Sequence, residues 1–168
     1  MIKKLPIKSL LCAAVLSSAV NAQAGEVIRH KIPGSDFPIA MAIEVPADAT
    51  IVNLSGQLAS VANPDAPKGS LEAYGDTETQ TVSTLKKIQA TLESMGLSMG
   101  DVIKMQVFLV GDPNKGGKMD FEGFMKGYTQ FFGKDADQPN LPTRSAFQVA
   151  GLAGPGYLVE IEVTAVKP

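Results

Sequence analysis

Tryptophan is absent from the 168 residues, and the chain has one cysteine and one histidine. With only Cys12 and His30 available, clusters of His and Cys around zinc and Cys-His nucleophilic pairs are excluded. A Ser-His-Asp triad would have to recruit His30, which lies in a segment expected to be mobile. The sequence also lacks a GxxxxGK[ST] phosphate loop and a GxGxxG fingerprint; Gly154-Pro155-Gly156 reads as a turn. No apolar stretch approaches the roughly 20 residues that cross a bilayer.

What apolar run there is sits at the start. Lys3, Lys4 and Lys8 precede Leu10 to Val20, and Ala22-Gln23-Ala24 closes the segment with small residues two apart. A positive start, a short apolar run and a small-x-small end define a secretory signal, so residues 1 to 24 are expected to be cleaved and the mature chain to begin at Gly25. The expected location is periplasmic or secreted. Cys12 leaves with the signal, which removes any disulfide from the mature protein, and packing must supply its stability. Loss of three lysines takes 15 basic side chains to 12 against 17 acidic ones. That balance argues against a phosphate-binding surface and hence against nucleic acid as a partner, and nothing in the mature chain calls for a membrane. Residues 25 to 168 suit one domain.

Along that domain, Pro38 to Val45 and Thr50 to Gln57 read as strands about a turn at Pro46-Ala47-Asp48, and Asn63 to Gly69 as a loop. Thr77 and Gln80 have capping-box spacing, and Val82, Leu85, Ile88, Leu92 and Met95 recur at three and four residues, which predicts a helix over Thr77 to Met95 stopped by Gly96. Asp101 to Val110 alternates as a strand with Ile103, Met105, Val107 and Leu109 on one face. Gly111 to Lys118 is flexible by composition. A second helix is predicted from about Asp120 to Phe132; its stripe of Phe121, Phe124, Met125, Tyr128, Phe131 and Phe132 is read as core, with no ligand assigned. Arg144 to Ala150 and Tyr157 to Val166 flank a turn-rich link and predict an antiparallel hairpin. A turn centred near Ala153 would set Ala146 opposite Glu160 and Arg144 opposite Glu162. Arg144, Ala146, Gln148, Glu160 and Glu162 would then share one face, with Phe147, Val149, Val159, Ile161 and Val163 on the other, core face. The whole is an α+β domain with two helices on one face of a mixed sheet. The uncovered face carries apolar groups, including Ala146 and Phe108, and calls for a partner subunit.

Arg144 is the chemical focus of this pattern. Its planar fork binds carboxylates in bidentate fashion, and Glu160 on the same face would manage a water. A cross-strand ion pair between Arg144 and Glu162, binding nothing, is the alternative from spacing alone.

Several short motifs, in order, carry a family resemblance. Ser55-Gly56-Gln57, Met95-Gly96-Leu97, Asp101-Val102-Ile103-Lys104, Tyr128 ahead of Phe131-Phe132, Pro142-Thr143-Arg144-Ser145 and Val159-Glu160-Ile161-Glu162 resemble the Rid (reactive intermediate deaminase, or YjgF) family. The match runs from about Pro38 to Val166. The resemblance implies a chorismate-mutase-like α+β subunit, a homotrimer with clefts between subunits, and no cofactor. It further implies hydrolysis of 2-enamine and 2-imino acids, released by pyridoxal-phosphate enzymes or amino-acid oxidases, to 2-oxo acids and ammonia. The family's carboxylate-binding arginine falls on Arg144, its water-handling glutamate on Glu160 and its substrate-contacting glycine on Gly56, with the backbone carbonyl of Ala146 helping to hold the water. Three positions depart from the family: Ala146 stands where its well-studied deaminases have cysteine, Ile39 where they have tyrosine, and Met125 where a small polar residue is expected. These departures keep open a binding protein that holds a small carboxylate in the same cleft without turnover. The family's older label, endoribonuclease L-PSP, implies a ribonuclease; the acidic mature chain and the lack of catalytic histidines speak against that.

Overall fold

The computed structural model describes residues 25–167, so the expected signal segment lies outside the described residues. Six strands and three helices follow in order: β1 (Ile28–Lys31), β2 (Ala40–Glu44), β3 (Thr50–Leu58), α1 (Leu71–Tyr74), α2 (Thr77–Ser94), β4 (Val102–Val110), α3 (Phe121–Tyr128), β5 (Thr143–Val149) and β6 (Val159–Lys167). β1 and β2 form a separate antiparallel ribbon, and the main sheet has the order β3-β6-β4-β5. The α+β class with a mixed sheet is borne out.

From Val159 to Ala165 the strand β6 alternates between buried and half-exposed positions, as a strand with one face on a core must. Val159, Ile161, Val163 and Ala165 meet Met105, Val107 and Leu109 of β4 and Leu85, Ile88 and Leu92 of α2 in one buried cluster. The predicted stripe on α2 is therefore correct in its middle. Its ends differ: Met95 is exposed, and the first two turns bury Thr77, Gln80, Thr81 and Thr84 instead of apolar groups. That polar stretch is where α2 meets α3. A Cβ added to Gly127 would stand 2.7 Å from the Cβ of Thr81, so glycine and threonine set the close approach of the two helices. The helix is capped by Asp76, whose carboxylate accepts from the amide of Thr79 at 2.8 Å, rather than by the Thr77 and Gln80 pair. α3 ends at Tyr128 rather than Phe132; Phe132 remains buried in a following turn whose amide donates to the Tyr128 carbonyl at 3.2 Å.

The predicted hairpin is not formed. β5 pairs parallel with β4, β6 pairs antiparallel with β4, and β4 therefore separates them. The link between β5 and β6 does not turn back on itself because it is held at the start of α2. Buried Gln80 donates to the carbonyl of Gly156 at 2.9 Å and accepts from the amide of Leu158 at 2.8 Å. Gly156 lies directly on the backbone of Gly69 and Ser70, where a Cβ would stand 2.6 Å from the Gly69 carbonyl oxygen. The chain then joins the end of β4, whose Val110 amide donates to Leu158 at 2.9 Å.

Inserting β4 changes which side chains share a face. Through β4, Arg144 is in register with Met105 and Val163, and Phe147 with Phe108 and Glu160. Arg144, Ala146 and Gln148 therefore lie on the helix side. Ser145, Phe147 and Val149 lie on the open side with Glu160 and Glu162. A shift of one residue in pairing exchanges the two faces entirely, and the hairpin register carried that error. Phe147, expected in the core, is 45% exposed and lies beside Phe108 with ring centres 6.3 Å apart.

The segment around His30, expected to be mobile, and Gly111 to Lys118, expected to be flexible, are both held in place. The first forms β1, which Arg29 ties to the body through a 2.7 Å bond to the carbonyl of Gly100. The second is closed by the Asp112 and Lys118 bridge and held to β5 by Gln148, whose side chain donates to Gly117 at 3.0 Å and accepts from Met119 at 2.9 Å.

Candidate functional site

Arg144 is the second residue of β5, the strand that has β4 on one side only. Beside it, the amide of Ala40 in β2 donates to the carbonyl of Pro142 at 2.9 Å, so the β1-β2 ribbon is fastened to this edge. The guanidinium sits among aromatic rings: 4.4 Å from the ring centre of Tyr128, 5.0 Å from Phe124, 5.3 Å from Phe37 and 5.8 Å from Phe121. The stripe on α3 read as plain core thus also encloses the arginine. An arginine on the strand that directly follows a phenylalanine-rich helix was the signal available for it.

Among the described residues no ion pair includes Arg144, and its Nη1 is buried with no hydrogen-bond partner among them. Burial pulls the guanidinium below its ordinary value, opposed by Tyr128. Burial likewise pushes the Tyr128 phenol up, and its hydroxyl donates to the carbonyl of Pro38 at 2.8 Å. A half-buried guanidinium held by ring faces and lacking an anion is costly in isolation and strongly favours an incoming carboxylate. The Arg144 and Glu162 ion pair is ruled out, since the two side chains leave opposite faces of the sheet.

Glu160 occupies the other face, at the start of β6. Leu58 of β3 stands opposite it, and just before that pair β3 bulges: Leu54 pairs with Val163 and Gln57 with Ile161, three steps against two. The bulge brings Gly56 against the Glu160 carboxylate so closely that an added Cβ would stand 2.9 Å from Cδ and 3.2 Å from Cγ. Gly56 is therefore glycine for the approach of that side chain. The subunit thus brings Gly56 to Glu160, and Ala146 to the same side of β5 as Arg144, but it does not bring the two pairs together. Three residues along the strands and two strands across place the Cα atoms of Arg144 and Glu160 roughly 14 Å apart, with side chains on opposite faces.

His30 takes no part in either pair. It lies on β1 with Nε2 2.7 Å from Glu44 of β2, on the exposed side of the ribbon. Among the described residues no three His, Cys, Asp or Glu side chains cluster as a metal site would require.

The topology and these two half-sites define a class of small α+β subunit with an unpaired cation at one edge of its sheet and a glutamate on the bare face. Residues 44–167 match the model of the family described as Endoribonuclease L-PSP. The chain is 35% identical over 138 residues to Escherichia coli K12 TdcF, named a candidate reactive intermediate deaminase, covering 82% of this chain and 93% of TdcF. A RutC family protein of Haemophilus influenzae is 33% identical over 138 residues, covering 82% of this chain and 93% of its own. The solved structure of E. coli TdcF with bound serine superposes with a TM-score of 0.54 at 32% identity, covering 84% and 98% of the two chains. YyfB of Yersinia pestis, a Rid-family protein, shares the fold at a TM-score of 0.60 and 22% identity, covering 83% and 96%. The chain belongs to the Rid/YjgF family.

Proposed function

We propose that the protein is a hydrolytic deaminase of 2-enamine and 2-imino acids, working in clefts between subunits of a homotrimer and exported from the cytoplasm. The observation that carries this reading is the guanidinium of Arg144, half-buried among aromatic rings and paired with no carboxylate among the described residues. In the proposed cleft Arg144 fixes the substrate carboxylate in bidentate fashion. Glu160 of the adjacent subunit and the Ala146 carbonyl hold the water that attacks the imine carbon, with Gly56 lining the approach. Addition of that water, with Glu160 carrying one of its protons to nitrogen, gives a carbinolamine; Glu160 then moves the hydroxyl proton to nitrogen as the C–N bond breaks, and ammonia leaves as the 2-oxo acid forms. Imines are reactive enough that positioning and modest proton transfer suffice. No cofactor is required by this sequence of steps.

An interface between subunits supplies what one chain lacks. Arg144 and Glu160 cannot act together within a subunit, and the open sheet face presents Phe108 and Phe147 without a cover. A heterologous contact that places the Glu160 face of one copy against the β5 edge of the next closes as a ring and repeats the same cleft at each contact. Retention of a carboxylate without turnover is the second reading, favoured by Ala146 and Ile39, which bring no titratable group to the cleft. The two are separated by mixing the mature protein with an amino-acid oxidase, an amino acid and semicarbazide. The deaminase diverts the imine and lowers semicarbazone formation, and Arg144→Ala abolishes the effect. Unchanged semicarbazone formation across a panel of amino acids would refute the deaminase reading. Export is tested by the N-terminus of protein recovered from the periplasm: the account expects Gly25, and an intact Met1 in the cytoplasm would contradict it.

A further inference from the structure

Of the four rings around the guanidinium of Arg144, three belong to α3, where Phe124 and Tyr128 are buried and Phe121 packs against the core. The fourth differs in origin. Phe37 comes from the irregular link between β1 and β2, is 40% exposed, and holds its ring centre 5.3 Å from the guanidinium carbon. Local bonds fix that link: the chain turns at Gly34 with φ of 68°, the Ser35 amide donates to the Ile32 carbonyl at 3.3 Å, and the Phe37 amide donates to the Ser35 hydroxyl at 3.1 Å. The next residue, Pro38, accepts from the Tyr128 hydroxyl at 2.8 Å, so one tyrosine both supports the arginine and anchors the loop that covers it. Resting on the carboxylate-binding role given to Arg144, we infer that Phe37 is a positioning residue for substrate binding, a loop-borne cover that keeps the guanidinium away from water and from the protein's own acidic groups.

Stacking uses the flat faces of a guanidinium and leaves its N–H edges free for a carboxylate, so ring and substrate do not compete for the same part of Arg144. The ring also insulates. A cavity of about 470 Å³ is bordered by Phe37 together with Asp36, Asp137, Lys31 and Lys134, and Arg144 is not among its lining residues. Phe37 thus separates the cation from two carboxylates and from the water around them. Without the ring the guanidinium would gain contact with that water, and Asp36 and Asp137 would gain a route to it. An ion pair in water is worth little, whereas the same pair away from water is several times stronger, so the cover favours a carboxylate arriving from the cleft.

Titration calorimetry with pyruvate, the simplest 2-oxo acid, tests the cover apart from any turnover. Phe37→Ala should weaken pyruvate binding about 3- to 30-fold, the range of a cation–π contact between exposed and desolvated settings. Phe37→Tyr, which keeps the ring, should bind within about twofold of the parent, and Phe37→Leu, an apolar cover without a ring face, should fall between them. Added salt should weaken binding more steeply in Phe37→Ala than in the parent, because an exposed ion pair is screened and a covered one is not; a purely structural role for Phe37 would leave that slope unchanged. Thermal unfolding identifies the variants that are folded. Affinity and salt slope equal to the parent's in folded Phe37→Ala, or parent-like values in Phe37→Leu should the alanine variant not fold, would overturn the role of Phe37 while leaving Arg144 as the carboxylate site. A parent protein that binds no pyruvate would overturn the Arg144 site and this inference with it.

Discussion

Replacing Gly56 by alanine isolates the role proposed for Glu160 without touching any charged group. The new Cβ would lie 2.9 Å from Cδ and 3.2 Å from Cγ of Glu160, both closer than the 3.4–4 Å of ordinary contact. Its neighbour is the end of a flexible side chain, so the carboxylate rotates away and the backbone of the bulge stays in place. Turning Glu160 off its preferred rotamer costs about 0.5–1.5 kcal/mol. Replacing glycine by alanine where the backbone tolerates it returns about 0.4–1 kcal/mol by restricting the unfolded chain. Net stability is therefore expected within about 1 kcal/mol of the parent protein. Activity responds differently, because a displacement of about 1 Å at a catalytic group costs on the order of 100-fold. Semicarbazide trapping with the leucine imine measures the rate, and thermal unfolding measures the stability. The double variant Gly56→Ala with Glu160→Gln should be no slower than the slower single variant, since both act through one carboxylate. Full activity in a folded Gly56→Ala protein would refute a water-handling role for Glu160.

Three further outcomes follow from the geometry. Tyr128→Phe keeps the ring beneath Arg144 but deprives the Pro38 carbonyl of its donor, so chemical denaturation should show a loss of about 1–3 kcal/mol with little change in KM, whereas Tyr128→Leu also removes the ring face and should raise KM several-fold. Phe147→Glu places a charge on the open face beside Phe108 and should convert a trimer to monomers in light scattering while the circular dichroism of the subunit is retained; an unchanged trimer would remove that face from the interface. Asp76→Ala should cost about 1 kcal/mol at neutral pH, and because the Thr79 amide holds the Asp76 carboxyl below its ordinary value, the cost should persist above the usual aspartate range and fade as the pH falls below it.

What was legible in the sequence was periodicity and identity of residue type. Leu85, Ile88 and Leu92 announce a buried helix stripe, and the alternation of Met105, Val107 and Leu109 announces a one-sided strand, because these patterns depend only on neighbours in sequence. The pairing of β5 was not legible from its glycine-rich link, since that link is shaped by Gln80, a residue far away in the chain that holds Gly156 and Leu158. A helix between two strands is itself a signal for parallel pairing, and β4, α3 and β5 form such a unit. The error mattered for the site: the hairpin register put Arg144 and Glu160 on one face, and the true register separates them. Their roles as candidates were legible from residue type and resemblance, the aromatic enclosure of Arg144 was not, and the bulge that gives Gly56 its purpose lies in an irregularity that no period reveals. The proposal of export rests on residues 1 to 24 alone, which lie outside the described residues.

Separate placement of Arg144 and Glu160 makes the central claim testable by complementation. Inactive Arg144→Ala and Glu160→Gln proteins, unfolded together and refolded at equal concentration, would assemble trimers in which about one cleft in four receives the native arginine from one subunit and the native glutamate from the next. The account predicts recovery of about a quarter of the parent activity in semicarbazide trapping. Absence of any recovery from trimers shown to be mixed would contradict a site shared between subunits.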